Sequence, residues 1–365
     1  MPAVIERLEV SAYVIPTSQP EADGTIAWDS TTVVIVEAVA DGCRGLGLSY
    51  ASKAAAVLVQ EKLESTVTGK PVENVRDCWQ AMVNSVRNMG RPGVAATAIS
   101  AVDIALWDLK ARLHELPLYQ LLGPRREHVP IYGSGGFTTY SERELIEQLG
   151  GWVQQGIPRV KMKIGKDWGA CLAEDVARAK AVRHAIGAGP ELFVDANGAY
   201  SAKQALWVAR ELAGEGVTYF EEPVSSDRLD QLALIRQSAP MDVAAGEYGY
   251  DPWYYRAMLG AQAVDVVQCD VTRCLGITGW LQAADVAYSF GIPFSAHCAP
   301  TATTHAACAA PQISHLEYFW DHSRIDGLIF DGAPQPEGGC LRPDSSRPGM
   351  GVELKRKEAE QWRVL

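Results

Sequence analysis

Apolar and polar residues alternate along most of the first 50 positions, a period of two that predicts antiparallel strands. The stretch TTVVIVEAVADGCRGLGLSY sets Asp41-Gly42 between two such runs, a hairpin signal. The preceding IPTSQPEADGTIAW, broken by prolines and a glycine, reads as a loop. From about residue 52 to 122 the period becomes helical. AISAVDIALWDLKARLHEL predicts one long, largely apolar helix that stops near Pro117 and Gly123. GPRREHVP is polar with two prolines, which places a domain boundary near residue 126.

Beyond it, eight short apolar runs alternate with helical segments: VPIYGS, RVKMKI, LFVDA, VTYFEE, DVAAGE, VDVVQCD, IPFSAH and HLEYF. The helices carry recognisable ends. Ser201 and Gln204 make a capping box, Gly214 and Gly216 close that helix, and Asp251-Pro252 opens another. Alternating strand and helix predicts a parallel sheet, and eight strands in about 200 residues predict a closed TIM-type α/β barrel. The expected layout is an α+β domain over 1–125, completed by the Gly- and Pro-rich tail 331–365, and a barrel over 126–330.

Composition changes this picture little. The chain is ordinary globular material, 47% apolar and 21% charged, with no apolar run of membrane-spanning length. Its net charge of −11 argues against a nucleic-acid partner. Eight scattered cysteines without a CxxC pair, and no signal-peptide pattern, predict a reducing cytoplasmic setting; Cys269 and Cys274 fit no common zinc spacing and read as buried hydrophobes.

Barrel chemistry sits at the C-terminal ends of strands. There the sequence places Lys161 and Lys163 on the second strand, Asp195 with Asn197 on the third, Glu221 and Glu222 on the fourth and Glu247 on the fifth. Asp270, His297 and Glu317 follow on strands six to eight. Asp195, Glu221 and Glu247 are 26 residues apart in each step, about one strand–helix unit, and so are expected at equivalent positions. Three converging carboxylates repel, by roughly 4 kcal/mol per pair at about 4 Å and an effective dielectric near 20. A divalent cation reverses the sign, and all-oxygen donors suit Mg²⁺, with Mn²⁺ as an alternative. Strand alternation turns Glu222 away from that cluster, into a supporting role, with a lysine as a candidate partner. Lys161 and Lys163, two apart, both face the lumen. An amine near a cation loses basicity, which makes Lys163 a candidate base, while Lys161 reads partly as an ion-pair partner of a metal ligand. Asp270 beside His297 predicts an acid/base dyad. His114, His128, His184, His305, His315 and His322 read as structural. Trp28, in the early loop, is placed to cover the mouth.

Taken together, VKMKIG, FVDANGAY, YFEEP, AAGE, VQCD, SAH and HLE, in this order, resemble the mandelate-racemase-like branch of the enolase superfamily. SAVDIALWDLKARLHELPLYQLLG and RPGMGVEL extend the resemblance over nearly the whole chain. It implies a modified (β/α)7β barrel under an α+β capping domain. A Lys or His base acting with Mg²⁺ on an enediolate is established chemistry of that superfamily. Asp195, Glu221 and Glu247 would hold Mg²⁺. Lys163 would be one base, Lys161 would polarise the substrate carboxylate, and His297 with Asp270 would serve the other face. Glu317 would hydrogen-bond the carboxylate and Asn197 would lie near the α-hydroxyl. Specificity would come from the stretch Gln19 to Trp28 and the turn near Tyr50. No lysine follows strand six, which counts against the muconate-cycloisomerase and dipeptide-epimerase branches. The expected reaction is dehydration of a sugar acid by a homo-oligomeric enzyme. Racemisation or epimerisation, cycloisomerisation, and a non-catalytic metal- or carbohydrate-binding barrel are the alternatives.

Overall fold

The computed structural model describes residues 2–365. Three antiparallel strands, β1 (Arg7–Ala22), β2 (Ala27–Ala40) and β3 (Cys43–Tyr50), form the N-terminal sheet in the order β1-β2-β3. Asp41 and Gly42 take positive φ (48° and 73°) in the two-residue hairpin between β2 and β3. Residues 15–28 differ from the expected loop. β1 runs to Ala22 and pairs with β2 as far as Ala22↔Ala27, and a register shift between Pro16 and Glu21 absorbs the prolines. The reason is position: β1 is an edge strand, where a missing N–H costs no ladder bond.

The helix Val94–Leu113 packs against β3 so closely that Gly45 and Gly47 are required there. A Cβ on Gly47 would lie 2.0 Å from the Ala101 carbonyl oxygen. Gly47→Ala is therefore expected to destabilise the fold by about 3 kcal/mol, because overpacking forces backbone shifts. Thermal denaturation beside the wild type checks this; an unchanged melting temperature would contradict it.

The eight predicted runs form the barrel: β4 (Val129–Gly135), β5 (Arg159–Lys163), β6 (Glu191–Asp195), β7 (Val217–Glu221), β8 (Asp242–Ala245), β9 (Val266–Asp270), β10 (Phe294–His297) and β11 (Leu316–Phe319). All pair in parallel, and β11 closes on β4. A short helix, Trp320–Ile329, follows the eighth strand and leads into the tail. The tail packs on the N-terminal sheet, with Val364 N–H donating to Ala12 and Arg356 paired with Glu37. It also does something unexpected: Cys340–Leu341 adds antiparallel to the start of β4, beside the barrel. Among the described residues no helix is long and apolar enough to cross a membrane.

The cap is seated on the barrel mouth by buried polar bonds. Asp103, in the long helix, accepts from Thr278 N (2.9 Å) and Thr278 Oγ1 (2.7 Å), and burial pushes its carboxyl up to about 7. Ser49 donates to the Thr272 carbonyl (2.9 Å). The β1–β2 turn is held too: Trp168 N–H donates to Gly24 O (2.9 Å), and a Cβ on Gly24 would meet Ala196 O at 2.7 Å. Trp28 sits edge-on to Phe137 at 5.6 Å and belongs to the lining of the cavity there.

Candidate active site

The floor of the lumen is aromatic. Tyr132, Phe193, Tyr219 and His315 pack against one another, and the first three belong to a separate buried cluster inside the strands. His315 and His305 are structural: each is buried and bonded, to Ser295 (2.8 Å) and to the Met350 carbonyl (3.1 Å). Cys269 and Cys274 are buried in the core.

Above this floor the charged groups begin. Lys161 is fully buried and reaches three carboxylates: Glu221 at 2.6 Å, Glu317 at 2.8 Å and Asp195 at 3.4 Å. Burial opposes its charge, but Glu221 and Glu317 outweigh that and raise its pKa. Lys163, one level higher, is 2.5 Å from Asp195. The lowered amine pKa expected for Lys163 is not what the protein groups alone produce. Burial pushes it down and Asp195 pushes it further up.

Asp195 and Glu221 are register partners on adjacent strands, and so are Asp270 and His297. Glu247 departs from the expected equivalence. Glu221 pairs with Ala244, and the chain reaches Glu247 only after leaving β8 and turning at Gly246 (φ 137°). Equal sequence spacing hid a loop residue folded back over the rim. That turn admits no side chain, since a Cβ on Gly246 would lie 2.2 Å from Gln268 O. The three carboxylates nonetheless converge, with one oxygen from each within 4.8 Å of the others. Burial and the neighbouring Asp195 charge push Glu221 well up, whereas His297 and Arg273 overcome burial and hold Glu247 down to about 2.

The donor set fits a hard cation. Glu221 Oε1 and Glu247 Oε2 are buried oxygens without a hydrogen-bond partner, as is Asn197 Oδ1 nearby. Carboxylate oxygens left bare at one point are what Mg²⁺ or Mn²⁺ requires.

Across the mouth, His297 Nδ1 is 2.6 Å from Asp270 Oδ2, and Asp270 Oδ1 accepts from Thr272 N (2.6 Å) and Oγ1 (2.7 Å). His297 Nε2 is the nitrogen left to the cavity side, 3.3 Å from Cys298 Sγ and 3.4 Å from Glu247 Oε2. Glu317 Oε1 accepts from Ser134 (2.5 Å) as well as Lys161.

A cavity of about 350 Å³ opens over Lys163, Asn197, Glu247, His297 and Glu317, with Trp28 and Tyr50 in its walls. Tyr50 is a wall and not a free donor, because its hydroxyl donates to Asp326 (2.6 Å). Glu222 lines an adjoining hollow with Asn197, and no Lys or Arg pairs with it among the described residues; burial and the nearby Glu247 charge push its carboxyl well up. Several cavity residues escaped the sequence reading, Arg273 and His322 among them. Arg273 contacts Glu247 Oε1 (3.1 Å), and only its nearness to Asp270 in sequence hinted at this. His322, expected to be structural, stacks on Tyr50 at 3.4 Å in the cavity wall; no sequence signal marked it.

A buried amine, an imidazole and bare carboxylate oxygens thus meet at one cavity. Residues 144–359 match the enolase C-terminal domain-like family. Residues 10–123 match the N-terminal domain of the mandelate racemase/muconate lactonizing enzymes. The chain belongs to that family of the enolase superfamily, whose curated members similar to it include acid-sugar dehydratases and cycloisomerases. Arabinonate dehydratase of Saccharolobus solfataricus is 31% identical, covering 88% of each chain. The 3,6-anhydro-alpha-L-galactonate cycloisomerase of Streptomyces coelicolor is also 31% identical, covering 96% of this chain and 97% of that one. Among solved structures, a mandelate racemase/muconate lactonizing enzyme-like protein from Rubrobacter xylanophilus superposes with TM-score 0.96 at 51% identity, covering 99% of this chain and 100% of that one. L-talarate/galactarate dehydratase from Salmonella typhimurium, liganded with Mg and L-lyxarohydroxamate, superposes with TM-score 0.92 at 26% identity, covering 100% and 94%.

Proposed function

We propose that this chain dehydrates a sugar acid, removing its α-proton through Lys163 and protonating its departing β-hydroxyl through His297. The observation that carries this reading is the cavity itself, with Lys163 and His297 both in its lining and the carboxylate trio between them. Asp195, Glu221 and Glu247 would hold Mg²⁺, which when bound would offset their charge, ease the neutral form of Lys163 and stabilise negative charge developing on the substrate carboxylate. Lys161, clamped by Glu221 and Glu317, keeps a fixed positive charge at the cavity floor. Lys163 takes the proton from Cα. His297, its Nδ1 held by Asp270, delivers a proton from Nε2 to the leaving hydroxyl. Asn197, with a bare amide oxygen, faces the substrate hydroxyls.

The cavity lining narrows the substrate. Asp23, Ser30, Thr31 and Thr32 belong to it, and its one arginine, Arg273, is already paired with Glu247 (3.1 Å). Hydroxyls and a carboxylate suit the polyol tail of a monoacid better than a second carboxylate. Aldonic acids are therefore preferred over aldaric acids.

The test is a panel of aldonic acids, aldaric acids and anhydro-sugar or lactone acids in Mg²⁺, with 2-keto acid trapped by semicarbazide. Release of 2-keto acid from an aldonic acid, lost in EDTA, is the expected result. Ring opening without 2-keto acid would favour cycloisomerisation, the activity of the Streptomyces relative. α-Proton exchange without loss of water would favour racemisation.

A further inference from the structure

One group in the cavity has no task in this chemistry: the thiol of Cys298. It follows His297 directly, takes a left-handed backbone (φ 48°) and is buried. Its Sγ lies 3.3 Å from His297 Nε2 and 3.3 Å from Glu317 Oε2, and those two atoms are 3.5 Å apart. A tetrahedral cation with N, O and S bonds of about 2.0–2.3 Å holds its ligand atoms about 3.3–3.7 Å from one another. The triangle already has that size.

Each ligand is also braced from behind. His297 Nδ1 is fixed on Asp270, and Asp270 in turn on Thr272. Glu317 Oε1 is engaged by Lys161 and Ser134, which leaves Oε2 to face Cys298 and His297. The Cys298 carbonyl is held by Thr303 Oγ1 at 2.8 Å. A carboxylate behind a ligating imidazole is the usual outer support of a metal site. The unpartnered Glu247 Oε2, 3.4 Å from His297 Nε2, offers a further oxygen.

We propose that His297, Cys298 and Glu317 form a second metal site, selective for a thiophilic divalent cation such as Zn²⁺, and that filling it blocks turnover. Sulfur and imidazole favour Zn²⁺ over Mg²⁺ at this triangle, whereas the all-oxygen trio does not. On binding, the thiol releases its proton to solvent, and the neutral imidazole donates its Nε2 lone pair. No oxidation is involved. The blocked nitrogen is the one assigned to acid/base work, so the inhibitory half rests on the proposed function and the binding half does not.

Two measurements separate the halves. With the protein saturated in Mg²⁺, one equivalent of Co²⁺ is added and the near-ultraviolet spectrum recorded. A thiolate-to-cobalt charge-transfer band is expected in the wild type, displaced by Zn²⁺ and absent from Cys298→Ser and Cys298→Ala. A wild-type protein without the band overturns the site, and this readout needs no turnover. In the second measurement Zn²⁺ inhibits Mg²⁺-dependent turnover. Its inhibition constant is expected to rise by at least about 10–100-fold in Cys298→Ser relative to that variant's own zinc-free rate, since even an outer-sphere partner is worth that much affinity. Equal zinc sensitivity in wild type and variant would place inhibition at the carboxylate trio and overturn the inhibitory half.

Discussion

Lys163→Ala is expected to lower turnover of the active acid by at least about 10³-fold and to end α-proton exchange with deuterated water. A positioned general base typically contributes about 10²–10⁴-fold. Of the two lysines, Lys163 lines the cavity, whereas Lys161 is sealed beneath it by Glu221, Glu317 and Asp195. The variant should still fold, because Asp195 keeps Lys161 at 3.4 Å. Circular dichroism and a thermal melt verify the fold, and mass spectrometry of recovered substrate verifies the loss of exchange. Exchange at a rate near that of the wild type would remove Lys163 from its role. Lys161→Ala is a different kind of change. It strips a buried cation from three carboxylates, so a lost fold there carries no catalytic message.

His297→Asn should separate the two half-steps. Release of 2-keto acid is expected to fall by about 10²–10⁴-fold, the usual worth of a positioned acid. Exchange of the α-proton through Lys163 should survive. Asp270 remains anchored by Thr272 N and Oγ1, so the rim keeps its shape without the imidazole. The paired assay, semicarbazide trapping beside deuterium uptake, reads both steps. Loss of both together would mean that His297, not Lys163, starts the reaction. Retention of both would leave the leaving hydroxyl without its assigned proton donor.

Much of this site was legible in the chain. The residues that carry it are anchored to strand ends, and strand ends are marked in sequence by apolar runs that stop at a charge. Lys161 and Lys163 share a face because a strand alternates with period two. Asp195 and Glu221, like Asp270 and His297, fall into register because successive barrel strands are neighbours. What was misread sits off the strands or depends on a partner from elsewhere. Glu247 looked like a strand-end residue and proved to be a loop residue, since period counting cannot see a turn at Gly246. Residues 15–28 looked like a loop because prolines suppress strand signals, yet an edge position tolerates them. His322 lies in a helix after the last strand, and only tertiary contact with Tyr50 brings it to the cavity.

Local sequence determined the strands, their order and the identity of the ionisable groups at their tips, because hydrophobic period and chain order act over a few residues. The tertiary structure alone decided how those groups are charged and which of them are free. Lys161 and Lys163 differ by two positions and by almost nothing in sequence context, yet one is locked among three acids and the other opens on the cavity. Cys298 is an ordinary thiol in the sequence and one corner of a braced triangle in the fold. The physical reason is that Coulomb energy, burial and ligand geometry depend on distances in space between strands far apart in the chain, and no periodicity encodes those distances.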